Sequence, residues 1–173
     1  MIYVNYKELK FPQKGDPDIE TVYLFQPEVI ARYKNFCHEA GLEIYGGGTR
    51  KIQRNLPGKI LSGYRNFVPK GGVEISPHFF CIALDIYVPL KEKKLLEKNL
   101  SLIPIALKHF SRIGIYPLKN SIHLDIADKE WMKKYGGKQF WYQDQNLKYF
   151  SFSDIMKFIS ALKNFFLKYE RKE

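Results

Sequence analysis

Four short β-rich segments, punctuated by proline and glycine, constrain the fold of this chain more than any other feature. Residues 81–88 form an almost continuous apolar run between prolines, which predicts a strand buried on at least one face. Residues 113–116 and 121–126 predict two more strands, joined by a tight turn at 117–120. Residues 59–65 predict a further strand that ends in a turn.

Helical patterns alternate with these strands. Pro27 stands where an N1 proline belongs, apolar residues then recur at helical spacing, and Gly41 ends that helix. Residues 91–110 are predicted to be helical, with an interruption before Pro104. The chain closes with an amphipathic helix from an N-cap at Ser153 to about residue 169.

The 173 residues suffice for one ordinary domain with its own core. Residues 1–26 are predicted to be an irregular N-terminal arm, 27–150 the main domain, and 151–173 a C-terminal amphipathic helix packed on it. The order of the elements predicts an α+β fold, a single compact domain with a small antiparallel sheet flanked by helices.

Composition and charge narrow the class of partner. Hydrophobic residues make up 45% of the chain and aromatic residues 16%, which predicts an ordered core. The formal charge of +10 favours polyanions such as nucleic acid, acidic lipid headgroups or the anionic polymers of a bacterial wall. The sequence carries no nucleic-acid-binding motif, so nucleic acid is the least favoured of these partners.

The compartment is predicted from the cysteines and the N-terminus. Cys37 and Cys81 are too few for a disulfide framework and are interpreted as thiols. The first residues lack the pattern of a secretory signal, and no apolar run is long enough for a transmembrane segment. We therefore expect a chain synthesised as a soluble cytoplasmic protein. The pattern predicts no particular oligomeric state.

Two of the four histidines lie on or beside predicted strands, each with an aspartate nearby. His123 and Asp125 are two apart on one strand and point to the same face. If the strand carrying Asp85 is its neighbour, His78, Asp85 and His123 converge on one point. Two imidazoles and one carboxylate leave one position of a tetrahedral zinc ion free, which is typical of catalytic sites.

The same residues have a simpler interpretation. Histidine and aspartate pairs at this spacing also arise by chance, as surface residues or as hydrogen-bonded residues of the core. The other two histidines, His38 and His109, lie on predicted helices and are interpreted as structural or exposed. Spacing alone leaves both interpretations of the first pair open.

Five motifs in order extend the pattern. They are Ser62-Gly63-Tyr64-Arg65, Ser76-Pro77-His78, Ala83-Leu84-Asp85-Ile86, Gly114-Ile115-Tyr116-Pro117 and Ile122-His123-Leu124-Asp125. Together they resemble the zinc D-alanyl-D-alanine carboxypeptidase and endopeptidase family, over roughly residues 27–130. The resemblance implies the compact α+β fold that this family shares with the hedgehog signalling domain.

The resemblance also implies roles for single residues. His78, Asp85 and His123 match the ligands of a single zinc ion, and Arg65 matches an arginine that binds a carbonyl or carboxylate of the substrate. Ser76 matches a serine that supports the site from outside the ligand set. The aromatic residues expected to bind substrate are Tyr64, Tyr116 and Trp141. Both Arg65 and Ser76 also have interpretations without a role in the site. Arg65 is then a solvated arginine of a turn, and Ser76 a turn or cap serine.

Two positions depart from the family pattern. Cys81 stands where glycine is usual, and is interpreted as a small buried hydrophobe rather than a metal ligand. Asn120 stands where many members carry an acidic general base, and an amide cannot accept a proton. Asp125 is the nearest candidate base, although it can equally orient the His123 imidazole.

These implications define the expected function. We expect a zinc-dependent peptidase acting on the stem peptides of peptidoglycan or its muropeptides, of the D,D-carboxypeptidase or endopeptidase type. A phage-type lysin or a virion-associated enzyme fits a chain without an export signal that acts at the cell wall. The rival hypothesis, kept open by Asn120, is a weak or inactive member of the fold that binds the wall or serves as a virion structural module.

Overall fold

The computed structural model describes residues 25–42, 60–63, 75–90 and 100–170. Most of the predicted N-terminal arm, Tyr64 and Arg65 lie outside the described residues. Within them the helices are α1 (Pro27–Ala40), α2 (Leu102–His109), α3 (Lys129–Tyr135) and α4 (Ile155–Glu170). The strands are β1 (Ile60–Ser62), β2 (Ala83–Tyr87), β3 (Arg112–Tyr116), β4 (Ser121–Asp125), β5 (Phe140–Gln143) and β6 (Tyr149–Phe152).

The six strands form one sheet in the order β1-β2-β4-β3-β5-β6. All neighbouring pairs are antiparallel except β3 and β5, which are parallel. The α+β class is therefore confirmed, but the sheet is mixed, and the prediction of a purely antiparallel sheet is wrong. After the β3–β4 hairpin the chain runs through α3 and lays β5 along the free side of β3, and such a crossover makes a parallel pair.

The two faces of the sheet have opposite chemistry because side chains alternate along each strand. One face is apolar and buried, and its central members are Leu84, Ile86, Ile113, Ile115, Ile122 and Leu124. These residues belong to one core cluster with buried side chains of α1, α2 and α4. The other face carries Asp85, His123, Asp125 and Arg112, so the candidate site lies on the face opposite the main core.

The predicted central strands are confirmed at β2, β3 and β4, and the predicted turn between β3 and β4 is a short 3₁₀ turn at Pro117–Lys119. Pro27 lies in the first turn of α1, and Gly41 ends that helix with φ of 63°. Sequence reasoning did not assign α3 or the β5–β6 hairpin.

Of two predicted helix boundaries, one is confirmed and one is wrong. The predicted interruption before Pro104 is confirmed, since Leu100 is helical, Ser101 lies in a turn and α2 begins at Leu102. Pro104 lies in the first turn of α2, where a missing backbone N–H costs no intrahelical hydrogen bond. Helix α4 begins at Ile155, and the carboxylate of Asp154 accepts a hydrogen bond from the Lys157 backbone N–H at 2.9 Å. The N-cap is therefore Asp154, one residue after the predicted Ser153.

Helix α4 packs on the β5–β6 end of the sheet through its apolar stripe. Phe158 stacks on Phe140, with ring centroids 5.5 Å apart, and Phe165 contacts Tyr142 at 5.4 Å. Phe158, Leu162 and Phe166 belong to the main core cluster. None of the helices in the described part of the chain has the length and apolar character needed to cross a membrane.

Replacing the cap residue provides a test of this boundary. We expect Asp154→Ala to lower the free energy of unfolding by about 1 kcal/mol, because the first turn of α4 loses its side-chain acceptor. Urea denaturation of the whole chain measures the change. Ser153→Ala is the matched control and is expected to change stability by less than about 0.5 kcal/mol. A larger loss in Ser153→Ala than in Asp154→Ala would contradict the assignment.

Candidate metal centre

The site is built on one row of residues across four strands. In the backbone register Asp85 on β2 pairs with His123 on β4, His123 pairs with Gly114 on β3, and Gly114 pairs with Trp141 on β5. Because paired residues on neighbouring strands point to the same face, the carboxylate, the imidazole and the indole lie side by side. The strands that carry Asp85 and His123 are neighbours, which is the condition under which the sequence predicts that the three donors converge.

His78 reaches this row from a 3₁₀ turn rather than from a strand. The turn, Pro77–Phe80, begins after Ser76, whose hydroxyl accepts a hydrogen bond from the His78 backbone N–H at 3.4 Å. His78 is fully buried, and its Nδ1 lies 2.6 Å from the Gly63 carbonyl oxygen. A carbonyl oxygen only accepts, so Nδ1 carries the proton and Nε2 presents a lone pair to the site.

His123 is held in the complementary way. Its Nε2 lies 2.9 Å from Oδ2 of Asp125, which is completely buried. The carboxylate accepts a hydrogen bond from Nε2–H, so Nδ1 is the nitrogen that faces Asp85 and His78. Each imidazole is therefore fixed through one nitrogen and presents the other, as metal-binding histidines generally do.

Three donor atoms converge. His123 Nδ1 lies 2.9 Å from Asp85 Oδ1 and 3.1 Å from His78 Nε2, and the third side of the triangle measures 3.5 Å. Donor atoms about 2.0 Å from a tetrahedral zinc ion stand about 3.3 Å from one another. The predicted convergence of His78, Asp85 and His123 is thus confirmed, and this group could hold a metal ion.

The electrostatics of the cluster also favour a cation. Burial raises the pKa of Asp85, but the two neighbouring imidazoles outweigh burial and hold that pKa well below its usual range. Burial lowers the pKa of His123, but its hydrogen bonds to Asp125 and Asp85 outweigh burial and raise that pKa above its usual value. In the metal-free chain, the cluster therefore favours an additional proton on His123.

Asp125 is fully engaged by groups of the chain. Its Oδ2 accepts from His123, its Oδ1 accepts from the Ala127 backbone N–H at 3.0 Å, and the Arg112 guanidinium lies 3.6 Å from Oδ2. It contacts the nitrogen of His123 that faces away from the donor triangle. Of the two roles left open by the sequence, this geometry favours orientation of the imidazole.

Trp141 covers the row beside His123. Its ring centroid lies 5.1 Å from that of His123, and its Nε1 donates to the Tyr116 hydroxyl at 3.2 Å. The indole lies directly over Gly114, where an added Cβ would stand 2.3 Å from its ring. Glycine at 114 is therefore required for Trp141 to lie here. Two of the three aromatic residues predicted to contact substrate, Tyr116 and Trp141, stand on the face of the site.

The two departures from the family pattern have structural explanations. Cys81 follows the His78 turn with φ of 60°, a left-handed conformation that favours glycine. It is half-buried rather than fully buried, and its thiol is not part of the donor group. Asn120 also has positive φ, and its Oδ1 accepts a hydrogen bond from the Leu90 backbone N–H at 2.9 Å, which fixes the segment after β2.

Some parts of the site were not anticipated from the sequence. His78 contacts the Gly63 carbonyl, and Asp125 faces the buried Arg112 guanidinium. The Trp141 indole lies on the backbone of Gly114. The Gly-x-Tyr-Pro motif singles out Gly114. The reason for glycine there is the contact with the Trp141 indole, and that contact is known only once β5 is placed beside β3. Arg65 and Tyr64 lie outside the described residues, so their predicted roles stay predictions.

Comparisons with protein-family models, with curated proteins and with solved structures found no match to this chain.

The close packing at Gly114 leads to a direct prediction. We expect Gly114→Ala to displace the Trp141 indole, to break its hydrogen bond to Tyr116 and to lower stability by about 1–3 kcal/mol. Chemical denaturation and the indole emission of a Trp131→Phe background measure both effects. In a Trp141→Leu background the same alanine is expected to cost much less. An equal cost in both backgrounds would show that the indole is not what excludes a side chain.

The pKa shifts predict opposite pH dependence with and without zinc. The raised pKa of His123 gives the metal-free protein stability that is complete below about pH 6.5 and is lost as the pH rises through the folded value, with a limiting slope of about 1.4 kcal/mol per pH unit. The lowered pKa of Asp85 gives stability that is lost only in acid. Zinc competes with the His123 proton, so its stabilising effect increases with pH.

Thermal unfolding from about pH 6 to about pH 8 tests this sign. We expect the melting temperature in chelator, relative to a His123→Ala variant, to fall as the pH rises. The increment produced by added zinc is expected to grow over the same range and to be absent in the variant. A zinc increment that shrinks with rising pH would contradict the assignment of His123 Nδ1 as a donor.

Proposed function

We propose that this chain is a zinc-dependent peptidase that hydrolyses a peptide bond in the stem of bacterial peptidoglycan. The observation that carries the proposal is the triangle of His78 Nε2, Asp85 Oδ1 and His123 Nδ1, with sides of 2.9–3.5 Å. Two imidazoles and a carboxylate form a donor set that suits zinc and leaves one tetrahedral position for water or substrate.

The residues of the chain have distinct tasks in this proposal. His78, Asp85 and His123 hold the ion, and the Gly63 carbonyl fixes the tautomer and ring orientation of His78. Asp125 does the same for His123 from its buried position. When bound, zinc supplies a Lewis acid that polarises a peptide carbonyl and activates water at neutral pH.

The choice of substrate rests on the order of the sequence motifs. The five motifs that resemble the D-alanyl-D-alanine peptidases include all three donor positions, and those donors converge in the folded chain. Arg65 is proposed to bind a carbonyl or carboxylate of the stem peptide, and Tyr116 and Trp141 to contact it beside His123. The net charge of +10 favours approach to an anionic wall.

Asn120 keeps a second candidate function in view. Its amide cannot serve as a general base, and its oxygen is engaged with the Leu90 backbone N–H. A chain that retains the metal but has little activity would bind the wall or serve as a virion structural module. This candidate differs from the first in one respect, since it predicts wall binding without bond cleavage.

Digestion of purified peptidoglycan tests the proposal. We expect zinc-loaded wild-type protein to release new amino termini or a terminal D-amino acid, and mass spectrometry of the fragments identifies the bond. His123→Ala is expected to lose at least about 10³-fold in rate, because it removes a ligand and its hydrogen bond to Asp125. His38→Ala, an exposed histidine on α1, is the matched control and is expected to keep full activity.

The two candidate functions predict different results in this assay. Cleavage that chelator abolishes and zinc restores supports the peptidase. Cosedimentation with the wall, without released fragments and unaffected by chelator, supports the binding module and contradicts the peptidase.

A further inference from the structure

Arg112 is a buried cation next to the candidate site. It is the first residue of β3 and the direct backbone partner of Asp125 on β4, so its side chain lies on the same face as the donor row. Only 7% of Arg112 is exposed. Arginine is rarely buried to this degree unless a specific partner offsets the loss of hydration.

Two indoles enclose the guanidinium. Its Cζ lies 4.9 Å from the ring centroid of Trp141 and 5.2 Å from that of Trp131 on α3. Gly137 closes a further side, since a Cβ there would stand 3.3 Å from Nη2. A planar cation between aromatic faces is held by stacking and by the charge distribution of the rings.

Hydrogen bonds contribute little to this arrangement. Within the described part of the chain, the buried Nε and Nη1 of Arg112 have no hydrogen-bond acceptor. The nearest opposite charge is Oδ2 of Asp125, 3.6 Å from Nε, which is too long for a hydrogen bond but close for two buried charges. The same Oδ2 accepts a hydrogen bond from Nε2–H of His123.

We propose that Arg112 is a positioning residue for the metal centre. It acts through Asp125, whose carboxylate it holds against the Nε2–H of His123, and so fixes the direction of Nδ1 in the donor triangle. The indoles of Trp131 and Trp141 maintain the guanidinium in this position. The inference rests on the proposed metal site and deepens it. It adds one more residue behind the ligand His123, since Arg112 holds Asp125 and Asp125 orients His123.

A purely structural role for Arg112 makes different predictions. If the guanidinium only neutralises a buried carboxylate, its loss lowers the stability of the fold and leaves the orientation of His123 and the affinity for zinc unchanged. If it positions His123, both of these change, and they change only while Asp125 is present to transmit the effect.

The test uses the full chain with Arg112→Met, which keeps length and loses charge, and Arg112→Lys, which keeps charge. Zinc affinity is measured by competition with a chromophoric chelator. We expect Arg112→Met to weaken binding about 10- to 100-fold, the usual effect of removing a partner behind a ligand, and Arg112→Lys to recover part of the loss. In an Asp125→Asn background, Arg112→Met is expected to change affinity less than about twofold further.

A second readout does not depend on zinc. In the metal-free protein, the Nε2 proton of His123 is expected to give a downfield NMR resonance protected by its bond to Asp125, and Arg112→Met is expected to shift or broaden it. Folding of each variant is checked by circular dichroism and thermal unfolding.

The outcomes separate this proposal from the proposed function. If Arg112→Met leaves both the zinc affinity and the His123 resonance unchanged while wild-type protein binds zinc, the positioning role is overturned and the metal centre stands. If the Arg112→Met loss persists in full in the Asp125→Asn background, the route through Asp125 is overturned. If wild-type protein binds no zinc under any condition, the metal centre and this inference both fail.

Discussion

Three lone-pair atoms facing one another on the polar side of a sheet are the constraint on which the site depends. His78 Nε2, Asp85 Oδ1 and His123 Nδ1 lie within 3.5 Å of one another, and without a positive charge between them they would repel. In the metal-free chain an additional proton on His123 supplies this charge, and the pKa of His123 is raised in spite of burial because Asp125 and Asp85 accept its hydrogen bonds. A metal ion would supply the same positive charge and would bind all three donor atoms.

The surrounding fold maintains this arrangement in layers. The antiparallel register of β2 and β4 places Asp85 opposite His123, and the Gly63 carbonyl and the Asp125 carboxylate fix one nitrogen of each imidazole. Because Gly114 on β3 has no side chain, the Trp141 indole can lie over its backbone, beside His123. The apolar face of the same sheet packs on α1, α2 and α4, so the strands that carry the site are the central strands of the core.

The central strands and the donor residues could be predicted from the sequence because their signals are local. Period-two alternation in 121–126 puts His123 and Asp125 on one face, and the β3–β4 turn is marked by its own proline. The parallel β3–β5 pair could not be predicted, since it joins residues 27 apart through a helix with no distinctive pattern. The Asp154 cap depends on a helix start, which local patterns fix only to within a few residues.

Arg112 and Gly63 illustrate a second reason for what the sequence did not reveal. A lone arginine on a strand is typical of a solvated surface, and only the placement of two indoles and of Asp125 around it explains its burial. Gly63 acts through its backbone carbonyl, which every residue possesses, so its identity carries no signal for a contact with His78. Both contacts depend on elements distant in the chain.

Metal content per chain is the most direct measurement of the central claim. Plasma mass spectrometry on protein purified without chelator, and again after zinc is added and excess removed, measures the stoichiometry for wild type and for His123→Ala. The account predicts about one zinc ion per wild-type chain and almost none in the variant, while His38→Ala retains it. Wild-type protein that stays free of zinc after loading, or a His123→Ala variant that still holds a full equivalent, would contradict it.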